Sequence, residues 1–357
     1  MNVFSKNEKI ILAALFLIVF LAVFGTRTFR LYQPKAIVSE IPAELLLYER
    51  TNLNELAEKL DSLGVQINPE ELRWAGNTLG WRFFRPGRYV IDGNYSYLGL
   101  LPNLARGIQD PARVMVLPGT EIGRLSRSLS NQLRADSSAF HQVFTDSSEL
   151  TLELGLTGEE LFSRMLPDSY DMYWTSAPEN VIRRLYREFQ RLVAQRYENE
   201  IEEHFLDLDE IVILASIVEM EARFNDEKPR ISGLYINRLK SNMMLQADPT
   251  VIYALGERRR LLFEDYLIDH PYNTYRISGL PPGPITNPSL ASIRAVLNPE
   301  EHDYLFMVAT PEGSHHFSRT FDEHRQASEE WRRWIREQYR IRDLREAEEM
   351  REREENQ

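Results

Sequence analysis

Apolar and polar positions divide the chain into segments that can be read one by one. Ile10 to Phe24 is the longest apolar run, and Lys6 and Lys9 precede it. As a helix, Ile10 to Gly25 reaches about 24 Å, close to a hydrocarbon core of roughly 30 Å, and Val3, Phe4, Thr26 and Phe29 extend it. This predicts a membrane anchor; the alternative is a signal peptide cleaved near Val23-Phe24-Gly25. Arg27 and Arg30 blunt the charge asymmetry, but a short leader before a long hydrophilic body places the N-terminus inside. After a polar tether, Leu53, Leu56, Ala57, Leu60 and Leu63 follow helical spacing, opened by Asn52 with Glu55 and closed by Gly64. Asn68-Pro69 starts a second helix, Arg88 to Ile91 reads as a strand, and Tyr97 to Arg106 as a third helix closed by Gly107. Val114 to Leu117 predicts a strand that turns at Pro118-Gly-Thr120 into a helix from Glu121. Ala177 to Glu203 reads as one long amphipathic helix with a solvated charged face. Ile231 to Lys240 reads as a further helix and Asp303 to Thr310 as a late strand. Glu329 to Gln357 is a charged helix, with Arg and Glu at i, i+4 spacing, expected to protrude.

The pattern changes between these last segments and the long amphipathic one. Ile211 to Val218 carries no charge, and Glu219 and Glu221 follow at once. Ionised carboxylates are costly to bury unless paired. Ile and Val suit strand and helix alike, but Asp207 or Asp209 as a cap, with Ala, Leu, Met and Glu following, favours helix over roughly Asp209 to Phe224. On a helix the two Glu lie about 200° apart. They are therefore not a glycosidase pair flanking one bond, whose carboxyl groups stand about 5 to 10 Å apart, and any chemistry falls to one of them. Phe224, a turn beyond Glu221, is expected to form an apolar wall that keeps it protonated. The plainer role is an ion pair with Arg223, Arg230 or Arg238.

Composition narrows the function classes. A chain of 357 residues has room for more than one domain. A net charge of −12 argues against a nucleic-acid partner. The absence of cysteine excludes disulfides and thiol catalysis. No phosphate-loop or zinc motif occurs and the His residues are scattered, so neither metal nor cofactor is expected. Asn237 and Arg238 sit at the polar end of their helix. Gln246 and Asp248 precede Pro249, where extended backbone lets side chains project. Tyr272, Asn273, Thr274 and Tyr275 offer the rings, hydroxyls and amide of a sugar subsite, or form a self-bonded polar loop.

Several strings now combine. Leu214-Ala-Ser-Ile-Val-Glu-Met-Glu, Gly233-Leu-Tyr-Ile-Asn-Arg-Leu, Leu245-Gln-Ala-Asp-Pro-Thr-Val-Ile-Tyr, Pro271-Tyr-Asn-Thr-Tyr and Gly279-Leu-Pro-Pro-Gly-Pro-Ile, with Asn287-Pro after them, resemble the YceG-like (MltG) family of endolytic murein transglycosylases in order and spacing. Leu166-Pro-Asp-Ser-Tyr resembles the family's Pro-Asp-Thr-Tyr block, which makes Asp168 and Tyr170 candidates for the cleft. His315-His-Phe317, with Ser314 in place of Gly, resembles its Gly-His-x-Phe, so His315 is a glycan contact or a structural His.

The resemblance implies an α+β fold in ordered segments: a cytoplasmic N-terminus over 1–9, a transmembrane helix over 10–25, a linker over 26–40, a small LysM-like α/β subdomain over 41–110, a mixed α+β catalytic domain over 111–338 and a charged tail over 339–357. The subdomain is a glycan binder or a spacer, and Trp74, Trp81, Phe83 and Phe84 stack on sugars or fill its core. The implied reaction cuts within peptidoglycan glycan strands between N-acetylmuramic acid and N-acetylglucosamine, leaving 1,6-anhydro ends. Glu221 is the implied general acid and base, with Glu219 supporting. Arg223 departs from the family pattern and would lower the Glu221 pKa if it folded back. Peptidoglycan synthases are implied partners, and a single-pass inner-membrane protein with its body outside the cytoplasm is the implied location. Two alternatives stay open: a hydrolase using Asp168 or Asp248 as a second carboxylate, and a non-enzymatic wall scaffold.

Overall fold

The computed structural model describes residues 5–355. Val3 and Phe4, expected to extend the apolar run, and the last two residues of the tail lie outside that range. The chain forms two compact units, one of residues up to Val114 with Ser130–Asp136 and Tyr170–Ala177, the other of the remainder.

The first unit opens with α1 (Lys6–Tyr32), whose start is fixed by a capping box between Ser5 and Glu8. By length and composition this helix can cross a membrane: its apolar 18-residue stretch has a mean hydropathy of 2.5, and none of its residues is buried. The tether expected from residue 26 is instead helix as far as Tyr32. Thr26 and Thr28 direct their hydroxyls back to the carbonyls of Ala22 and Phe24 rather than breaking the helix. Near its end the Arg30 guanidinium lies 3.9 Å from the centre of the Trp74 ring and bonds Glu71.

In chain order follow β1 (Ile37–Leu47), β2 (Thr51–Asn52), α2 (Leu53–Ser62), β3 (Gln66–Ile67), α3 (Pro69–Leu79), β4 (Phe83–Phe84), β5 (Gly87–Tyr95) and α4 (Tyr97–Arg106). Asn52 and Asn68 cap α2 and α3 as their spacing predicts. The sheet runs β3-β1-β5, and a separate pair joins β2 to β4. β1 was hidden in the sequence because Pro42 interrupts its alternation. Its antiparallel pairing with β5 shifts register between Ser39 and Ala43, which accommodates the missing N–H of Pro42. Leu45 and Leu47 of β1 then meet Leu56, Leu60, Leu72 and Leu101 from the three helices. Phe84 is buried in this core while Phe83 stays exposed.

β6 (Ala112–Val116) carries the chain onward. α5 (Ile122–Ser130) and three short helices, α6 (Ser137–Gln142), α7 (Glu149–Leu154) and α8 (Gly158–Ser163), precede β7 (Asp168–Met172). The single helix expected over 177–203 is broken into α9 (Pro178–Phe189), a π turn (Gln190–Ala194) and α10 (Glu198–Glu203). Leu185, Phe189 and Val193 are all buried and recur every four residues. That interval exceeds the roughly 3.6 residues of an α turn, and the wider π turn keeps Val193 on the core face.

α11 (Leu208–Glu221) is the centre of the second unit. Asp207 and Glu210 form its capping box, and Ile211, Val212 and Leu214 to Val218 are buried. A helix apolar on every side must be covered on every side. α12 (Lys228–Lys240), α13 (Asp248–Leu255) and α14 (Leu290–Leu297) supply the cover, with Ile231, Leu234, Ile293 and Val296 in the same core. Gly233 lets the chain after α14 approach α12, since a Cβ there would stand 2.4 Å from the Glu300 carbonyl oxygen. A hairpin of β8 (Phe306–Ala309) and β9 (His315–Ser318) then leads into α15 (Phe321–Glu355), so the charged tail is continuous with a helix that starts well before it.

The turn at Pro118-Gly-Thr120 is tied to this unit by buried Asn287. Its Oδ1 accepts from the Thr120 N–H at 3.1 Å, and its Nδ2 donates to the carbonyls of Leu117 and Met165, each at 3.0 Å. Asn287→Ala should therefore destabilise the protein by about 3 kcal/mol in urea titration, since it strands several buried backbone groups. Asn287→Asp should do no better, because a carboxylate cannot donate to either carbonyl.

Candidate active site

Glu219 and Glu221 leave the end of α11 in different directions and meet opposite surroundings. One Glu219 oxygen accepts four hydrogen bonds: from Lys228 Nζ at 3.0 Å, the Ser289 N–H at 2.9 Å, Ser289 Oγ at 2.5 Å and Ser292 Oγ at 2.6 Å. Burial alone would raise its pKa, but the serine hydrogen bonds and Lys228 bring it below the ordinary value. Glu219 is thus an ionised strut joining α11 to the starts of α12 and α14.

Glu221 has no such cradle. Its carboxyl faces a cleft of 460 Å³, which it lines together with Tyr235, Arg238, Gln246, Asp248 and Tyr275. Burial raises its pKa to about 8, and the charge of Asp248 pushes the same way, while Tyr235 and Arg238 oppose the shift. Among the described residues the buried Tyr235 hydroxyl has no hydrogen-bond partner of normal geometry, yet it lies close enough to the Glu221 carboxyl to favour its charged form. At neutral pH Glu221 is a protonated acid open to a cleft.

The opposite wall is rigidly built. Gln246 adopts a left-handed φ of 51°, which strains a residue with a side chain. Its N–H bonds the Thr274 carbonyl at 3.1 Å, the next N–H bonds Thr274 Oγ1 at 3.0 Å, and Arg238 reaches its side-chain oxygen at 3.3 Å. This conformation sets Gln246 and Asp248 both on the cleft. The two Asp248 oxygens accept from Tyr275 Oη at 2.6 Å and Tyr266 Oη at 3.3 Å. Arg238 also binds the carbonyls of Leu305, Met244 and Leu245, so its guanidinium links β8 to this loop.

Of the residues expected at a site, Glu221, Arg238, Gln246, Asp248 and Tyr275 come together here. Asn237 does not line the cleft; its amide donates to the carbonyls of His302 and Tyr304. Tyr235 is not among the residues expected from sequence, although on a helix it shares a face with Arg238 that Asn237 does not, and that i, i+3 spacing is the signal that finds it. Asn273 and Thr274 are fully buried and brace the loops, and Tyr272 packs its ring on Tyr253 at 4.6 Å. Asp168 is exposed and accepts from the Ser169 N–H, Tyr170 is buried, and neither lines the cleft. Phe224 lies past the end of α11 and is 41% exposed, so the apolar wall expected from it is absent. Arg223 lies against Gly313, and the cation that acts on Glu221 is Arg238. His315 does line the cleft, while its ring and N–H are held by Glu227. His324 and Trp331 of α15 also line it, though Trp331 falls in the stretch from Glu329 that reads only as a charged helix.

Glu219→Ala should destabilise the protein by about 3 to 5 kcal/mol in urea, because Lys228, 3% exposed, would keep a buried charge without its partner. The strut itself should weaken as pH falls through the lowered folded pKa of Glu219. Glu219→Ala should lack that acid-side loss.

Comparison with known proteins agrees with this architecture. The model described as YceG-like family matches residues 46–330. A Bacillus subtilis protein named endolytic murein transglycosylase is 37% identical over 154 residues, covering 43% of this chain and 42% of that protein. A Streptococcus pneumoniae protein of the same name is 30% identical over 308 residues, covering 77% of this chain and 56% of that one. The chain thus spans about half the length of these curated relatives. A solved YceG-like protein from Listeria monocytogenes shares the fold, with a TM-score of 0.56 at 24% identity over 81% of this chain and all of that one. The chain belongs to the YceG-like family.

Proposed function

We propose that this protein is a membrane-anchored lytic transglycosylase that cuts within peptidoglycan glycan strands between N-acetylmuramic acid and N-acetylglucosamine. The observation that carries this reading is the Glu221 carboxyl, held protonated near neutrality by burial and open to a cleft. The names of the curated relatives support the substrate and the reaction. Glu221 donates its proton to the glycosidic oxygen of the departing N-acetylglucosamine as the bond to muramyl C1 breaks. The positive charge that develops at C1 lies in a cleft also lined by Asp248. The muramyl C6 hydroxyl then attacks C1 and passes its proton to the Glu221 carboxylate. A 1,6-anhydro ring forms, no water is consumed, and Glu221 ends as it began.

In this account α1 anchors the protein in the inner membrane with its N-terminus in the cytoplasm, and residues 41–110 form a LysM-like module that retains glycan. Work beside a peptidoglycan synthase follows from a substrate that synthases produce. One observation favours a second reading, hydrolysis: Asp248 is a carboxylate in the same cleft and is the candidate to activate water.

Product masses separate the two. The wild type should release internal fragments with ends one water lighter than hydrolysis products. Reducing ends would favour hydrolysis through Asp248. Glu221→Gln keeps the shape without the transferable proton and should lower activity by roughly 10²- to 10⁴-fold. Wild-type activity should fall as pH rises through about 8, where Glu221 loses its proton. The same substitution should stabilise the fold. A raised folded pKa gives stability that is complete below the unfolded value and is lost as pH rises to the folded one. Glu221→Gln should thus melt several degrees above the wild type at pH 8, with the difference shrinking towards pH 4.5.

A further inference from the structure

Beyond the cleft, the start of α15 and the β8–β9 hairpin enclose a second cavity of 550 Å³. Trp331 and Trp334, one turn apart on α15, stack with ring centres 5.0 Å apart and planes 20° or so from parallel, at 22°. Both are only partly buried, so the pair does not fill the core. Val308, Ala309 and Trp331 line this cavity and the Glu221 cleft alike, which sets the two spaces side by side along β8. Trp334 lines the second cavity only.

The polar groups around the rings narrow the ligand. Glu323 is occupied by the N–H groups of Arg319 and Thr320. Glu312, Gln326 and Glu330 also line the cavity and have no hydrogen-bond partner among the described residues. Aromatic faces flanked by carboxylate and amide acceptors match a sugar, whose C–H face stacks and whose hydroxyls donate. The same carboxylates repel anionic lipid headgroups.

We propose that Trp331 and Trp334 form a distal sugar subsite, which seats the same glycan strand several rings away from the bond above Glu221. This deepens the proposed reaction and rests on it for the identity of the strand. A strand long enough to reach Trp334 gains binding that a short fragment cannot, so the subsite favours cuts inside long strands.

The test uses the full chain in detergent. Trp334→Ala should lower kcat/KM on long glycan strands about tenfold, the effect of losing roughly one stacked ring. The loss should lie in KM, with cleavage of a tetrasaccharide fragment unchanged and Trp334→Phe retaining most activity. In the Glu221→Gln background, tryptophan fluorescence titrated with long strands should show affinity about tenfold weaker for the Trp334→Ala form. Equal activity of wild type and Trp334→Ala on long strands, or equal loss on long and short ones in a protein with unchanged melting, would overturn the subsite. If the wild type cut nothing, the titration alone would decide, and failure of the reaction and failure of the subsite would be read separately.

Discussion

Two carboxylates two residues apart on one helix cannot share an environment, and the candidate site depends on that constraint. α11 must be covered on all sides, so whatever follows its apolar run emerges among packed helices. Glu219 emerges where α12 and α14 begin, among hydroxyls, an N–H and a lysine, and stays ionised. Glu221 emerges about 200° around the axis, where burial and the charge of Asp248 outweigh the opposing Tyr235 and Arg238. The first carboxylate fixes the helix; the second is left destabilised as an anion and therefore ready to hold and give a proton.

Most polar residues near the cleft support others rather than face a ligand. Thr274 bonds Thr250 at 2.8 Å and holds the backbone on either side of Gln246, whose left-handed conformation would otherwise relax. Asn273 ties down the turn carrying Tyr266, and Tyr266 and Tyr275 fix the two oxygens of Asp248. Asn237 and Arg238 sit side by side in sequence, yet Asn237 anchors the chain before β8 and Arg238 reaches the cleft. Pre-organisation of this kind keeps a charged group in place without reorganisation during reaction.

Local rules read well from the sequence. The caps of α2 and α3 and the long apolar N-terminal helix follow from residue spacing, and the position of α11 follows from its cap and composition. What stayed hidden depends on long-range packing. β1 is masked by Pro42 until its bulged pairing with β5 is seen. The π turn after α9 answers to where the core lies. At the site, spacing left the chemistry to one of two glutamates and the family resemblance implied Glu221; Phe224 was the expected source of its raised pKa, whereas burial and Asp248, 27 positions along the chain, supply it. Asp168 and Tyr170 looked like site residues through a motif, and the structure gathers neither at the cleft. Trp331 arrives from a stretch that reads only as solvated charge, and His324 from the turn of helix before it.

Glu219 and Glu221 carry different charges in one folded protein at neutral pH. Carbon-detected NMR of the glutamate carboxyls, assigned through Glu219→Gln and Glu221→Gln, tests it without any substrate. Glu221 should titrate with a midpoint near 8 and Glu219 below 4.5. If both titrated together below pH 5, Glu221 would be an ordinary carboxylate at neutral pH and could not serve as the acid.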